Sequence, residues 1–100
     1  MENKCTFCHD YKIRTAEEKK KLGNRLRRIE GQVRGVAGMI GEDAYCPDIL
    51  VQVSAIRAAL GSFERELLAS HVRTCVAEDI RAGRSDTVDE LNALLAKLMR

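Results

Sequence analysis

An all-α fold is predicted by three features of the chain: two apolar seams at helical spacing, a single proline, and no strand-like alternation. Leu22, Leu26, Ile29, Val33, Val36 and Ile40 recur at spacings of 4, 3, 4, 3 and 4. Ile49, Val53, Ile56, Leu60, Phe63 and Leu67 repeat the same spacings. Such a seam puts all its members on one stripe of a helix and calls for a partner helix to cover it. Pro47, the only proline, leaves the rest of the chain free to be helical. The expected subunit has three helices, the central one long.

Residues 1–15 show no periodicity and are expected to be a flexible arm preceding a helical domain over 16–100. Thr15 and Glu18 form a capping-box pattern, in which each side chain caps the other's backbone N–H, so the first helix should start near residue 16. Gly23, Gly31, Gly35 and Gly38 each weaken that helix by up to about 1 kcal/mol relative to Ala. Gly41 is the expected stop. Pro47 suits the first position of the second helix, and Asp48 favours the positive end of its dipole. From there the pattern continues through Leu68, Val72, Cys75, Val76 and Ile80 to Gly83, roughly 35 residues or about 50 Å of helix. An element so long must project from its own subunit onto a neighbour. Ser85 can cap a third, short helix carrying Val88, Leu91, Leu95 and Leu98.

The chain has 100 residues. A domain of this size buries only about 60–70% of its unfolded surface, which favours a core shared between subunits. Aromatic residues are few, so Leu, Ile, Val and Ala must build that core. The net charge of +2 says little, but its distribution says more. Lys19, Lys20, Lys21, Arg25, Arg27, Arg28 and Arg34 crowd one stretch, opposed only by Glu30. Acidic residues gather elsewhere. A segregated basic segment suits a polyanion, although a solvated helix face accounts for it equally well at this stage. No apolar run approaches the ~18–20 residues of a membrane span, and the polar N-terminus does not read as a signal peptide. A cytoplasmic location is expected, where Cys5, Cys8, Cys46 and Cys75 would stay reduced and suit metal or thiol chemistry better than disulfides.

His71 and Cys75 stand at i and i+4, on one face of the second helix. Alone the pair is weak, because buried cysteines and hydrogen-bonded histidines are common. Cys46, beside Pro47, strengthens it. In a continuous helix Cys46 and His71 lie roughly 37 Å apart along the axis, too far to share a metal within one chain. An antiparallel copy of the same helix would set Cys46 of one subunit beside His71 and Cys75 of another. The two helices would cross near residue 60, where Ala58, Ala59 and Gly61 permit close contact. Twofold symmetry would then give two identical sites. Two thiolates and an imidazole form a soft three-coordinate set suited to Cu(I), whereas structural Zn²⁺ wants a fourth protein ligand. Tyr45 and a later acidic residue are candidates to orient His71.

Three stretches carry a family resemblance: Arg25-Leu26-Arg27-Arg28-Ile29-Glu30-Gly31-Gln32-Val33-Arg34-Gly35, Tyr45-Cys46-Pro47-Asp48-Ile49-Leu50-Val51-Gln52-Val53-Ser54-Ala55, and His71-x-x-x-Cys75. Together they resemble the signature of the copper-sensitive operon repressor family, over nearly all of Lys19 to Leu95. The resemblance implies a three-helix subunit in a dimer of dimers, and an operator-bound apo form that Cu(I) releases. Cys46, His71 and Cys75 match the family's copper ligands. Tyr45 and Glu90 match residues that support those ligands, the Glu90 match being offset by a one-residue length difference around Arg84–Asp86. Arg25 and Arg65 fall where the family places basic residues important for operator binding. Within the family, nickel or cobalt sensors would carry histidine at position 75, formaldehyde sensors a proline after Met1, and persulfide sensors no histidine at 71; His71 with Cys75 favours copper.

Cys5-Thr6-Phe7-Cys8-His9 departs from that pattern. It reads literally as a haem-attachment motif, which would need export, or as a redox motif, which would need a βαβ context. Auxiliary metal ligation by Cys5, Cys8 and His9 remains open beside incidental residues in an arm. No catalytic constellation is present, and the chain does not read as an enzyme. Two alternatives stand beside the copper-responsive repressor: a thiol-redox or persulfide sensor on the same fold, and a helical copper-binding protein that never meets DNA.

Overall fold

The computed structural model describes residues 14–84 and 86–99, and every regular element among them is helical. The elements are α1 (Ala16–Gly41), α2 (Cys46–His71), a π-helical turn (Val72–Val76), α3 (Ala77–Arg81) and α4 (Asp86–Leu98). The turn joins α2 to α3 without a break. The long central element of the sequence reading is therefore present, with an irregularity inside it that no periodicity announced.

The chain divides into two units, one spanning Thr15–Leu67 and the other taking in the segment from Leu68 onward. In the first, α1 starts as its sequence dictates. Glu18 N–H donates to Thr15 Oγ1 at 3.1 Å, and Thr15 N–H donates to Glu18 Oε1 at 3.0 Å. Two backbone donors that a helix start leaves without intrahelical partners are thereby satisfied. The far end falls at Gly41 as expected, with the closing turn made by a residue beyond it. Gly41 is the last helical residue, and the chain reverses at Asp43, whose φ is 56°. Asp43 N–H bonds Ile40 O at 3.2 Å and Ala44 N–H bonds Met39 O at 3.0 Å, the paired bonds of a Schellman motif. Asp is among the few non-glycine residues that tolerate this left-handed conformation.

The second unit ends its helical run in the same motif with the usual residue. Gly83 has φ 83°; its N–H bonds Ile80 O at 3.0 Å, and Arg84 N–H bonds Asp79 O at 2.9 Å. Asp79 is buried, with its carboxylate 3.9 Å from Arg84. Pairing is what makes a buried carboxylate tolerable. α4 packs against the π turn and buries Thr87 near its own start. Ser85, the expected cap of α4, lies outside the described residues, as do Cys5, Cys8 and His9 in the expected arm.

The predicted seams are incompletely covered within one chain. Of the α1 seam only Ile29 is buried, while Leu26, Val33 and Ile40 are exposed, Ile40 by 61%. Val53 and Leu60 of the α2 seam are exposed as well, beside Leu50 and Val51. Among the described residues the buried apolar side chains are Ile29, Cys75 and Val76.

Candidate metal centre and nucleic-acid interface

Cys46 is the first residue of α2 and His71 the last. The N-terminus of α2 is tied by the Tyr45 carbonyl, which accepts from Asp48 N–H at 3.0 Å and Ile49 N–H at 3.2 Å. The Cys46 thiol is free and exposed, and the Tyr45 side chain is 70% exposed. A soft donor is thus presented at the surface, where a second chain can reach it.

At the other end, the π turn separates the expected ligands His71 and Cys75. A π turn widens the backbone ring to an i→i+5 bond and shifts the faces of the residues that follow; such turns recur at functional sites. His71 is half-buried, and Cys75 is 2% exposed. Thr74 Oγ1 donates to Ser70 O at 2.8 Å and lies 3.7 Å from Cys75 Sγ. A hydroxyl has one proton, and the nearer carbonyl takes it. Cys75 is disulfide-bonded in the structure, where the sequence analysis expected reduced thiols throughout. A disulfide sulfur is a poor metal ligand, so ligation by Cys75 requires its thiolate. Glu90 is exposed on α4, the helix that packs on the π turn. Among the described residues, no three His, Cys, Asp or Glu side chains gather into a cluster within one chain.

The expected basic surface sorts into three kinds of residue. Lys19, Lys20, Lys21 and Arg28 are exposed along α1. Arg27 and Arg34 are exposed but tethered locally, Arg27 to Asn24 Oδ1 at 2.7 Å and Arg34 to Glu30 at 3.6 Å. Arg65 is exposed on α2 and folds back along Gly61. Arg25 alone turns inward: it is half-buried, with Nη1 donating to Glu66 Oε1 and Nη2 donating to Ser62 Oγ at 2.9 Å. Ser62 and Glu66 are one helical turn apart, which is why a single guanidinium fork engages both. The sequence reading missed this clasp. Its only trace is the i, i+4 spacing of two acceptors on α2, which names no partner.

The profile of the family described as metal-sensitive transcriptional repressors matches residues 18–97. The chain belongs to this family. It is accordingly a transcriptional repressor and not an enzyme, and the resemblance drawn from the three motifs holds over the same span. The copper-sensing transcriptional repressor CsoR of Bacillus subtilis (strain 168) is 42% identical over 88 residues, which cover 87% of each chain. The copper-sensing transcriptional repressor RicR of Mycobacterium tuberculosis (strain ATCC 25618 / H37Rv) is 41% identical over 98 residues, 95% of this chain and 98% of that one. Among solved structures, the copper-sensing repressor CsoR with Cu(I) from Geobacillus thermodenitrificans NG80-2 superposes with a TM-score of 0.85 at 44% identity, covering 90% of this chain and 95% of that one. The nickel-responsive transcriptional regulator InrS superposes with a TM-score of 0.71 at 36% identity, covering 89% and 98%. The all-α fold of this metal-sensitive repressor is therefore that of its family. No helix among the described residues is long and apolar enough to cross a membrane.

Proposed function

We propose that the chain is a cytoplasmic, Cu(I)-responsive repressor that grips operator DNA in its apo form and lets go when Cu(I) fills a site shared between subunits. The observation that carries this reading is the placement of Cys46 and His71 at opposite ends of one unbroken helix, with Cys75 one turn beyond. A rise of 1.5 Å per residue separates the ends by roughly 37 Å, so a common metal needs two chains. Exposed Leu50, Val53 and Leu60 fall on one side of that same helix and supply an apolar stripe for a second copy. An antiparallel dimer covers it, and a dimer of dimers would cover the seam of α1.

The donor set selects the effector. Two thiolates with one imidazole favour a soft, low-coordinate ion, and the copper-sensing relatives agree with that choice over the nickel-responsive one. When bound, Cu(I) supplies strong bonds that join one chain to another. Cys46 brings its ligand from the start of α2; His71 and Cys75 bring theirs from its far end and the π turn. The second ring nitrogen of His71 is left for a hydrogen bond, with Tyr45 and Glu90 the candidate partners. Lys19–Lys21, Arg27, Arg28, Arg34 and Arg65, together with Arg25, would hold phosphates and make operator binding salt-dependent. If the metal-bound arrangement binds DNA less well, DNA weakens metal binding by the same factor.

The test is titration of Cu(I) into the reduced protein on DNA from its own promoter region, read by fluorescence anisotropy. Release on stoichiometric Cu(I) is expected. Apo protein that ignores the DNA would leave a copper-binding protein of another kind, and release by sulfide donors alone would indicate thiol sensing. Subunit sharing is tested by co-assembling a Cys46→Ala chain with a His71→Ala/Cys75→Ala chain. Mixed dimers should regain one site; mixed dimers that bind no copper would remove the inter-subunit arrangement.

A further inference from the structure

Arg25 is held by Glu66 and Ser62 at the edge of a recess. Arg25, Arg28, Ile29, Gln32, Ala59 and Ser62 line a recess of about 250 Å³ between α1 and α2. Its chemistry is that of an anion seat: two guanidinium groups, an amide and a hydroxyl over an apolar floor. Arg25 Nη1 is bonded to Glu66, and Arg25 Nη2 donates to Ser62 Oγ at 2.9 Å. Ser62 therefore accepts from Arg25 and keeps its own O–H to donate to an oxygen placed in the recess. The Arg25 and Glu66 side chains are 29% and 43% exposed. A ligand from solvent can reach the pair, yet water screens it less than a fully exposed one.

We propose that Glu66 stands in for a DNA phosphate: its carboxylate holds Arg25 in the DNA-free protein, and a backbone phosphodiester of the operator displaces it in the recess. A carboxylate and a phosphodiester carry the same unit charge and offer the same pair of acceptor oxygens to a guanidinium fork, so they compete for Arg25. Without an anion there, Arg25 and Arg28 would share the recess as like charges. Glu66 removes that cost in the free protein and imposes one on docking, because it must give up Arg25 and then sits near a phosphate. Operator affinity is thereby held below what the basic face alone would give. The proposal rests on the reading of α1 as a DNA-binding surface, and its test keeps the two separable.

The experiment measures operator affinity of the full-length apo protein across a salt series for wild type, Arg25→Ala, Glu66→Gln, Glu66→Asp and the Arg25→Ala/Glu66→Gln double variant. Glu66→Gln should tighten binding by roughly two- to fivefold, the range that corresponds to a partly exposed ion pair. Glu66→Asp keeps the charge but shortens the reach to Arg25, and should tighten binding too. In the Arg25→Ala background, Glu66→Gln should change nothing. Weaker or unchanged binding by both Glu66 variants, with Arg25→Ala still weakening it, would overturn the competitor role while leaving Arg25 as a DNA contact. Equal tightening by Glu66→Gln in both backgrounds, with Glu66→Asp inert, would reduce Glu66 to a general repulsive charge and also overturn it. An unchanged affinity for Arg25→Ala would instead sink the DNA-binding reading of α1 and the competitor with it.

Discussion

Helix α1 and the segment from His71 to Arg84 are both helical, yet they are built differently. α1 begins in a reciprocal capping box, keeps α-helical bonds throughout, and ends in a Schellman motif. Its charges mostly face water and its interactions are mostly local. The His71–Arg84 segment opens with a π turn, buries Cys75, Val76 and the carboxylate of Asp79, and uses Arg84 to neutralise that carboxylate. Regular helix suits a face that meets a regular polymer of phosphates. The irregular segment holds two of the three candidate ligands, His71 and Cys75, and π turns recur at functional sites. The comparison also separates two roles: α1 would set how tightly DNA is held, and the segment after α2 would set when it is released.

The largest effect expected from breaking this division is on metal affinity. Cys46→Ala or Cys75→Ala leaves one thiolate and one imidazole, and Cu(I) affinity should fall by more than about a hundredfold, with apo operator binding little changed. Competition against a chromogenic Cu(I) chelator measures the first and anisotropy the second. An apo protein that loses DNA binding on either substitution would show that the two regions do not divide the labour.

On the α1 side, Arg25→Ala should weaken operator binding without altering Cu(I) affinity. The slope of log affinity against log salt should flatten by about one unit, because one phosphate contact no longer releases a counterion. A salt series with an unchanged slope would take Arg25 off the interface.

His71→Ala addresses the link between the regions. Cys46 and Cys75 can still hold Cu(I) as a two-thiolate site, since the ion accepts two ligands. Considerable affinity should survive, while most of the copper-driven release is lost. The measurement is operator affinity with the sites shown to be copper-filled; complete release under those conditions would mean that the imidazole does not couple metal to DNA.

The smallest effects sharpen the contrast between the two helix ends that share one motif. Asp43→Gly places glycine where the backbone is left-handed and should stabilise the protein by about 0.5–1 kcal/mol. Gly83→Ala meets no side-chain obstacle but acquires the left-handed penalty, and should destabilise it by about 1 kcal/mol. Urea melts at fixed protein concentration compare the two, and shifts of the same sign would mean that local backbone conformation does not govern these ends.

Much of the fold was legible because it is periodic or local. The start of α1 at Thr15 depends on contacts within four residues, and Thr15 and Glu18 announce it. The stop after Gly83 is readable because a left-handed residue at that point is most cheaply glycine. The stop of α1 at Gly41 falls where it was expected, but the left-handed residue that closes it is Asp43 and not a glycine, which no local pattern announced. Cys46, His71 and Cys75 were legible as candidates from residue type and spacing, and the family motifs reinforced them.

The sequence by itself determined the helical class, the order of the elements, the reach of α2 and which side chains carry soft donors or positive charge. Those properties follow from periodicity, capping and residue chemistry. Tertiary structure alone decided that the backbone widens into a π turn between His71 and Cys75, that Asp79 is buried against Arg84, and that Arg25 faces Ser62 and Glu66 instead of open solvent. The Arg25 clasp spans 37 and 41 residues of sequence, and no local pattern encodes the partner across such a gap.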